Sequence, residues 1–442
     1  MFSMSSKLVA AVFFAGTLAT QSASGASSQS TYDSLTADVL ISSPTQAVIT
    51  RSLTLSSTQW VFVESDGRYY VNGGEAANVY ITIDGIKVSN DSLIDYRGNQ
   101  NFPQHSFNAI GAAQLAAGVH TIKLVGQQIS GNFNIGAASN LSVVVAPAST
   151  VSVKAVGSDL GPFNFTTASV AVGSPVPNSV LLSTSLAPSN QSIVALASGR
   201  AFRSHGGDAM FGIYVNGVNP GNNVSTWSDN DLGDVAPNAP ENQAPLFNQA
   251  FLSPRSGNTT VSLIATEFPW GSGMENPVVY YVGAGTRLVS LLGGMTVAGS
   301  AILSSKVNNW EDYICIGSSQ GWPFCPAANT DVVLASSVIN IPAGHNGIVL
   351  FTAKTRAQGD PSDPTGLVTL SISIDGRTYS SVGIQQLNAP DVPSQRTICS
   401  SVLTAGSHAL ASGNHTVQVH TKAAGNFIHM SALKDVPLIW FD

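Results

Sequence analysis

The segment Trp227-Ser228-Asp229-Asn230-Asp231-Leu232-Gly233-Asp234 places three carboxylates and an indole within eight residues. Asp229, Asp231 and Asp234 are hard oxygen donors, and calcium is the cation such a set would take. The spacing is not that of an EF-hand, because Gly233 stands at the fifth position from Asp229 and no closing Glu follows at the twelfth. Trp227 beside acids and amides also suits a sugar, with a ring face for stacking and polar groups at its edge. Trp270, in Phe268-Pro269-Trp270-Gly271, is a second aromatic in a loop-like context, as is Trp322, and exposed aromatics mark contact surfaces. The plain alternatives are a solvated loop for 227–234 and a core-capping role for the two tryptophans.

Other reactive patterns are weaker. Gly317-Ser318-Ser319-Gln320-Gly321 reads literally as G-x-S-x-G. A nucleophile elbow needs a helix after the serine, and Trp322-Pro323-Phe324-Cys325-Pro326 carries two prolines that forbid it. This stretch is expected to be a turn. Four of the eight histidines fall late, at His408, His415, His420 and His429. His415 and His420 are five apart, so on one strand they point to opposite faces and do not converge on a zinc ion. Acids are scarce and none sits in a motif for glycoside hydrolysis. Of the three cysteines, Cys315 and Cys325 would close a small loop as a disulfide, with Cys399 an alternative partner for either. Seven N-x-[ST] sequons occur, at Asn90, Asn140, Asn164, Asn190, Asn223, Asn258 and Asn414.

The elements that must carry these residues are strands. Alternation of apolar and polar residues with period two dominates from residue 35 onward, and no stretch holds a helical period. Val79-Tyr80-Ile81-Thr82-Ile83 alternates and stops at Asp84-Gly85, a hairpin signal because both residues tolerate positive φ. A second strand resumes at Gly118-Val119-His120-Thr121-Ile122-Lys123-Leu124. The pair recurs as Asn216-Gly217 with Gly257-Asn258-Thr259-Thr260-Val261, and as Asp375-Gly376 with Gly413-Asn414-His415-Thr416-Val417. Gly85, Gly217 and Gly376 are separated by 132 and 159 residues, which are domain-sized intervals. Ser65-Asp66-Gly67 and Ser198-Gly199-Arg200 read as turns that end a preceding strand.

The predicted fold is therefore all-β: three tandem antiparallel β-sandwich modules, spanning 27–147, 148–294 and 295–442. The strand order with a long mid-module loop resembles jelly-roll and other Greek-key sandwiches. Such strands occur in carbohydrate-binding modules, trimeric tumour-necrosis-factor-like heads and adhesin domains. Alternating sequence across the joins predicts short, ordered connections and a semi-rigid rod.

Composition narrows the function. Charged residues are 10% of the 442, against a usual figure of about 25%, so Ser, Thr, Asn and Gln must supply the polar surface. Net charge is −7 with no basic block, which argues against nucleic acid as a partner. Lys7, the apolar run Leu8 to Ala19 and small residues to Ala26 read as a cleaved signal peptide over 1–26, and no later run is long enough to span a membrane. The expectation is a secreted or cell-surface, non-catalytic structural, adhesive or assembly protein that associates with itself or with other surface proteins. The alternatives are a carbohydrate-binding protein, assisted by calcium at the acidic loop, and a polysaccharide-active enzyme.

Overall fold

The computed structural model describes residues 30–71, 76–95, 105–146, 150–157, 160–165, 179–188, 193–203, 208–218, 226–228, 244–252, 256–268, 278–282, 285–292, 297–305, 313–316, 330–344, 347–359, 367–385, 395–404, 406–424, 428–431 and 436–441. Among them the regular elements are antiparallel β-strands, with one single-turn 3₁₀ helix at Gly406–His408 and no α-helix. The sequence-level assignment to the all-β class holds.

Strand pairing sorts into three stretches of chain with one recurring order. In the first, the long strand β4 (Gln59–Val71) lies between β8 (His105–Leu115) and β11 (Asn140–Ala146), with β1 (Ser30–Ser34) outside β11. In the second, β15 (Ile193–Arg203) lies between β18 (Ala244–Leu252) and β21 (Arg287–Leu292), with β12 (Thr150–Ala155) outside. In the third, β25 (Ile348–Gly359) lies between β28 (Gln395–Leu403) and β31 (Val436–Phe441), with β22 (Val297–Ser305) outside.

Each stretch adds a second sheet. Its middle strand is β9 (Gly118–Ser130), β19 (Thr259–Phe268) or β29 (Gly413–Ala424). Flanking these are β3 (Thr45–Leu55) and β5 (Ala76–Ile83), then β14 (Ser179–Leu186) and β16 (Asp208–Val215), then β24 (Asp331–Ile341) and β26 (Leu367–Ile374). In the third stretch β22 pairs with both β31 and β24, which joins its two sheets into one of ten strands.

Alternation explains the cores. Val79, Ile81 and Ile83 of β5 and Ile122 and Leu124 of β9 meet Val61, Val63 and Tyr69 of β4. In the second stretch Phe211, Ile213 and Val215 meet Ala195, Ala197 and Leu246. Burying such side chains contributes about 1.5–3 kcal/mol each, which is what holds two sheets face to face. The Asp-Gly and Asn-Gly hairpins form as expected: φ is 50° and 81° at Asp84 and Gly85, 48° and 76° at Asn216 and Gly217, and 50° and 76° at Asp375 and Gly376. Positive φ at both central residues gives the turn whose twist matches the strands it joins.

Two expectations are overturned. Ser65-Asp66-Gly67 and Ser198-Gly199-Arg200 are not turns, because β4 and β15 run straight through them. Gly67 is glycine for space: a Cβ there would stand 2.1 Å from Ser139 Oγ, and at Gly199 one would stand 2.2 Å from Thr286 Oγ1. Nor do the stretches form a rod. The equivalent strands β8, β18 and β28 meet one another pairwise, so the three stretches pack side by side. The cause is the far face of the first inner sheet, which is itself buried.

Gly67→Ala and Gly199→Ala should each destabilise the protein by about 1–3 kcal/mol, the cost of overpacking a closed core. Denaturant unfolding measures this. An exposed-site glycine substitution at Gly157, where a Cβ would meet nothing within 4 Å, should fall well below that range.

Candidate functional site: a buried polar junction and two carboxylate–histidine clamps

Along β4, Val61, Val63 and Tyr69 face the sandwich core, so Phe62, Glu64 and Asp66 face the opposite way. On an isolated sandwich these would be surface residues. Here Phe62 is 2% exposed and Glu64 and Asp66 are both 0% exposed. Beside them lie Asn108 and Ile110 of β8 and Asn140 and Ser142 of β11, all buried.

Carboxylates lose far more than hydroxyls on leaving water, so they must be hydrogen-bonded. Asp66 accepts from Asn140 Nδ2, and its backbone N–H donates to Asn140 Oδ1 at 3.4 Å. Its other oxygen accepts from Ser380 Oγ, on β27 (Arg377–Gln385) of the third stretch, at 2.7 Å. Asn108 Nδ2 stands 3.5 Å from Glu64 Oε1, while Asn108 Oδ1 accepts from Ser198 Oγ of the second stretch at 2.9 Å. Ser142 Oγ donates to the Leu403 carbonyl of the third stretch at 2.8 Å. One sheet face thus holds both neighbours through side-chain bonds.

Two further contacts extend the junction. Tyr32 OH donates to the Tyr379 carbonyl, and the Tyr32 ring meets Tyr379 and His408 edge-on at 5.7 and 5.2 Å. Burial, with Asp66 and Glu64 nearby, pushes the Tyr32 phenol well above its ordinary range, so it stays a donor at any physiological pH. Arg377 Nη1 donates to His408 Nδ1 at 2.9 Å, which requires neutral imidazole, and burial with the Arg377 charge holds His408 below its usual value. Towards the second stretch, Asp91 binds Lys87 Nζ at 2.7 Å and Asn78 Nδ2 at 2.6 Å, and packs against Gly285.

The histidines serve the fold. Asp84, in its left-handed turn, accepts the Thr121 N–H at 2.7 Å and meets His120 Nδ1 at 2.7 Å, while His120 Nε2 meets the Ala116 carbonyl at 2.9 Å. Asp375 repeats this with Thr416 N–H at 2.8 Å and His415 Nδ1 at 2.6 Å, with Ala411 O at 2.7 Å from Nε2. Asn216 makes the backbone half of the clamp, accepting Thr260 N–H at 2.7 Å, where Thr259 replaces the histidine. With acceptors at both ring nitrogens, imidazolium is the form that satisfies both.

The hydrogen bond to Asp84 therefore raises His120, and the one from His120 lowers Asp84. At the third clamp burial opposes both shifts, but the mutual hydrogen bonds win: His415 is raised and Asp375 lowered.

His420 lies elsewhere, with Nδ1 2.9 Å from Asp331 Oδ2 and Nε2 2.7 Å from Ser373 Oγ. The atom order is that of a hydrolytic triad, but Ser373 is 4% exposed in mid-strand, closed to a substrate carbonyl. The trio ties β24, β29 and β26 together. Among the described residues no three His, Cys, Asp or Glu side chains gather as a metal site.

Of the sequence candidates, Trp227 does not stand in a loop: its backbone lies in the short strand β17 (Thr226–Ser228), paired with Met210. Asp229, Asp231, Asp234, Trp270, Trp322, Cys325 and the Gly317–Gly321 stretch lie outside the described residues. Cys315 is placed by its backbone in β23 (Tyr313–Ile316) and Cys399 in β28. The sequence reading missed Glu64 and Asp66. Their signal was an acid pair at outward positions of an otherwise apolar strand.

No protein-family model matches this chain, and no curated protein does. Solved structures offer distant likenesses. An infectious bursal disease virus Gt strain structure matches at 8% identity over 91% of this chain and 80% of that one, with a TM-score of 0.24. The insecticidal delta-endotoxin Cry8Ea1 of Bacillus thuringiensis matches at 8% identity over 85% of this chain and 54% of that one, TM-score 0.19. A Sulfolobus Turreted Icosahedral Virus structure matches at 8% identity over 90% and 91%, TM-score 0.16. At these scores the likeness carries no weight for function.

The clamps predict a pH profile. Raised histidines stabilise fully below their unfolded value near 6.5, and that contribution is lost as pH rises through the folded value. Lowered aspartates stabilise above their unfolded value near 3.8, and that contribution is lost as pH falls through the folded value. The clamp contribution should thus peak between about pH 4 and 6.5. A His120→Gln/His415→Gln double variant should flatten the fall in thermal midpoint between pH 6 and 9.

At the junction, Asp66→Ala withdraws the acceptor that Asn140 and Ser380 share, and Ser380→Ala withdraws a donor from a buried carboxylate, so each should cost about 1–3 kcal/mol. Chemical denaturation would measure both, and losses below that range in both would contradict the junction.

Proposed function

We propose that this protein is a secreted, non-catalytic structural component: a rigid block of three sandwiches that acts in assembly or surface attachment. The observation that carries this reading is the junction itself. The fully buried Asp66 carboxylate is used in tying its own sheet, through Asn140, to the third stretch, through Ser380. The histidine–carboxylate pairs are likewise used as hairpin clamps. The low charge content and the Ser/Thr/Asn-rich surface suit an extracellular block that presents broad sheet faces to a partner. No helix among the described residues is long and apolar enough to cross a membrane.

The test is the assembly state of the mature chain. Light scattering after size exclusion, with electron microscopy, should show ordered self-association or binding to a cell surface or polymer. A strict monomer that binds neither argues against this function.

A further inference from the structure

We infer that Asn258 and Asn414 are N-glycan acceptors, and that Asn90 and Asn140 carry no glycan in the folded protein. The inference deepens the secreted reading above and rests on it.

Four of the seven sequons have described side chains, and they divide sharply. Asn90 and Asn140 are both 0% exposed. Asn90 Nδ2 donates to the Asn108 carbonyl at 3.0 Å and its Oδ1 accepts the Ile110 N–H at 2.9 Å, while Asn140 is engaged with Asp66 through both amide atoms. A sugar on either nitrogen would remove these bonds and place a bulky hydrophilic group inside the first stretch.

Asn258 and Asn414 are exposed. They occupy the same place in the repeat, between the glycine and the residue that meets the clamp, in Gly257-Asn258-Thr259-Thr260 and Gly413-Asn414-His415-Thr416. Each stands at the start of a middle strand, beside its hairpin. Gly257 and Gly413 have open space around the position a Cβ would take. Asn340 Nδ2 donates to Asn414 Oδ1 at 2.7 Å, which fixes the amide by its oxygen and leaves Nδ2 on the other side.

The first stretch has Val119 at this place, 70% exposed. Two of the three equivalent ends are therefore built to carry carbohydrate and the third is bare and apolar.

The ligand is an oligosaccharide delivered as a polyprenyl pyrophosphate donor by the host transferase. Asn Nδ2 bonds to the anomeric carbon, the carbon–oxygen bond to pyrophosphate breaks with the electron pair leaving on oxygen, and the amide gives up one proton. The hydroxyls of Thr260 and Thr416 complete the two sequons.

The experiment is expression in a eukaryotic secretory host in two forms, one with residues 1–26 and one with a host signal in their place. Peptide-N-glycosidase treatment in heavy-oxygen water, followed by mass spectrometry, reads each site as Asp with added label. The expected result is label at Asn258 and Asn414 and none at Asn90 or Asn140, with Asn258→Gln, Asn414→Gln, Thr260→Ala and Thr416→Ala each removing one glycan's mass. Folded, secreted protein with Asn258 or Asn414 bare, or with Asn90 or Asn140 labelled, overturns the assignment. Secretion from the host signal but not from residues 1–26 would overturn the secretory reading of that segment while leaving the glycan result readable.

Discussion

A β-sheet buried on both faces must satisfy every side chain on both, and that constraint shapes this molecule. The inner sheet of the first stretch turns Val61, Val63 and Tyr69 to one core and Phe62, Glu64 and Asp66 to another. Apolar residues alone would let neighbouring sheets slide, because dispersion is non-directional. Asp66, Asn108 and Ser142 supply directional bonds to Ser380, Ser198 and the Leu403 carbonyl, so both neighbours are held at a defined register. The cost is the desolvation of two carboxylates, offset only while their partners stay in place.

The three stretches share one hairpin arrangement and differ in the residues around it. All three stretches keep the left-handed hairpin and its hydrogen bond to the middle strand: Asp84 with Thr121, Asn216 with Thr260, Asp375 with Thr416. Only the first and third add the histidine. Inner sheets differ more, because each meets different neighbours. The position of Asp66 is taken by Ser198 in the second copy, and Ser198 reaches across to the first copy's Asn108.

The proposed assembly role accords with where the chemistry-bearing residues went. His120, His415 and His420 are each oriented by a carboxylate, an arrangement that elsewhere would suggest catalysis. Here His120 and His415 also meet a carbonyl in the loop that leads into their own strand, and His420 meets a buried serine on the neighbouring strand, so both ring nitrogens of each histidine are engaged within the fold.

Much was legible in the sequence, and for a local reason. Period-two alternation and the Asp-Gly or Asn-Gly pairs act over a few residues, so the all-β class and the hairpins at Gly85, Gly217 and Gly376 followed from the chain alone. Gly67 and Gly199 were misread because glycine signals either positive φ or close approach, and only the distant Ser139 and Thr286 distinguish the two. Asp66 was misread with them, since an acid beside a glycine looks like a turn until something buries it. The side-by-side packing, and with it the junction, was decided by the tertiary structure: Asp66 and Ser380 are 314 residues apart, and no periodicity spans that separation.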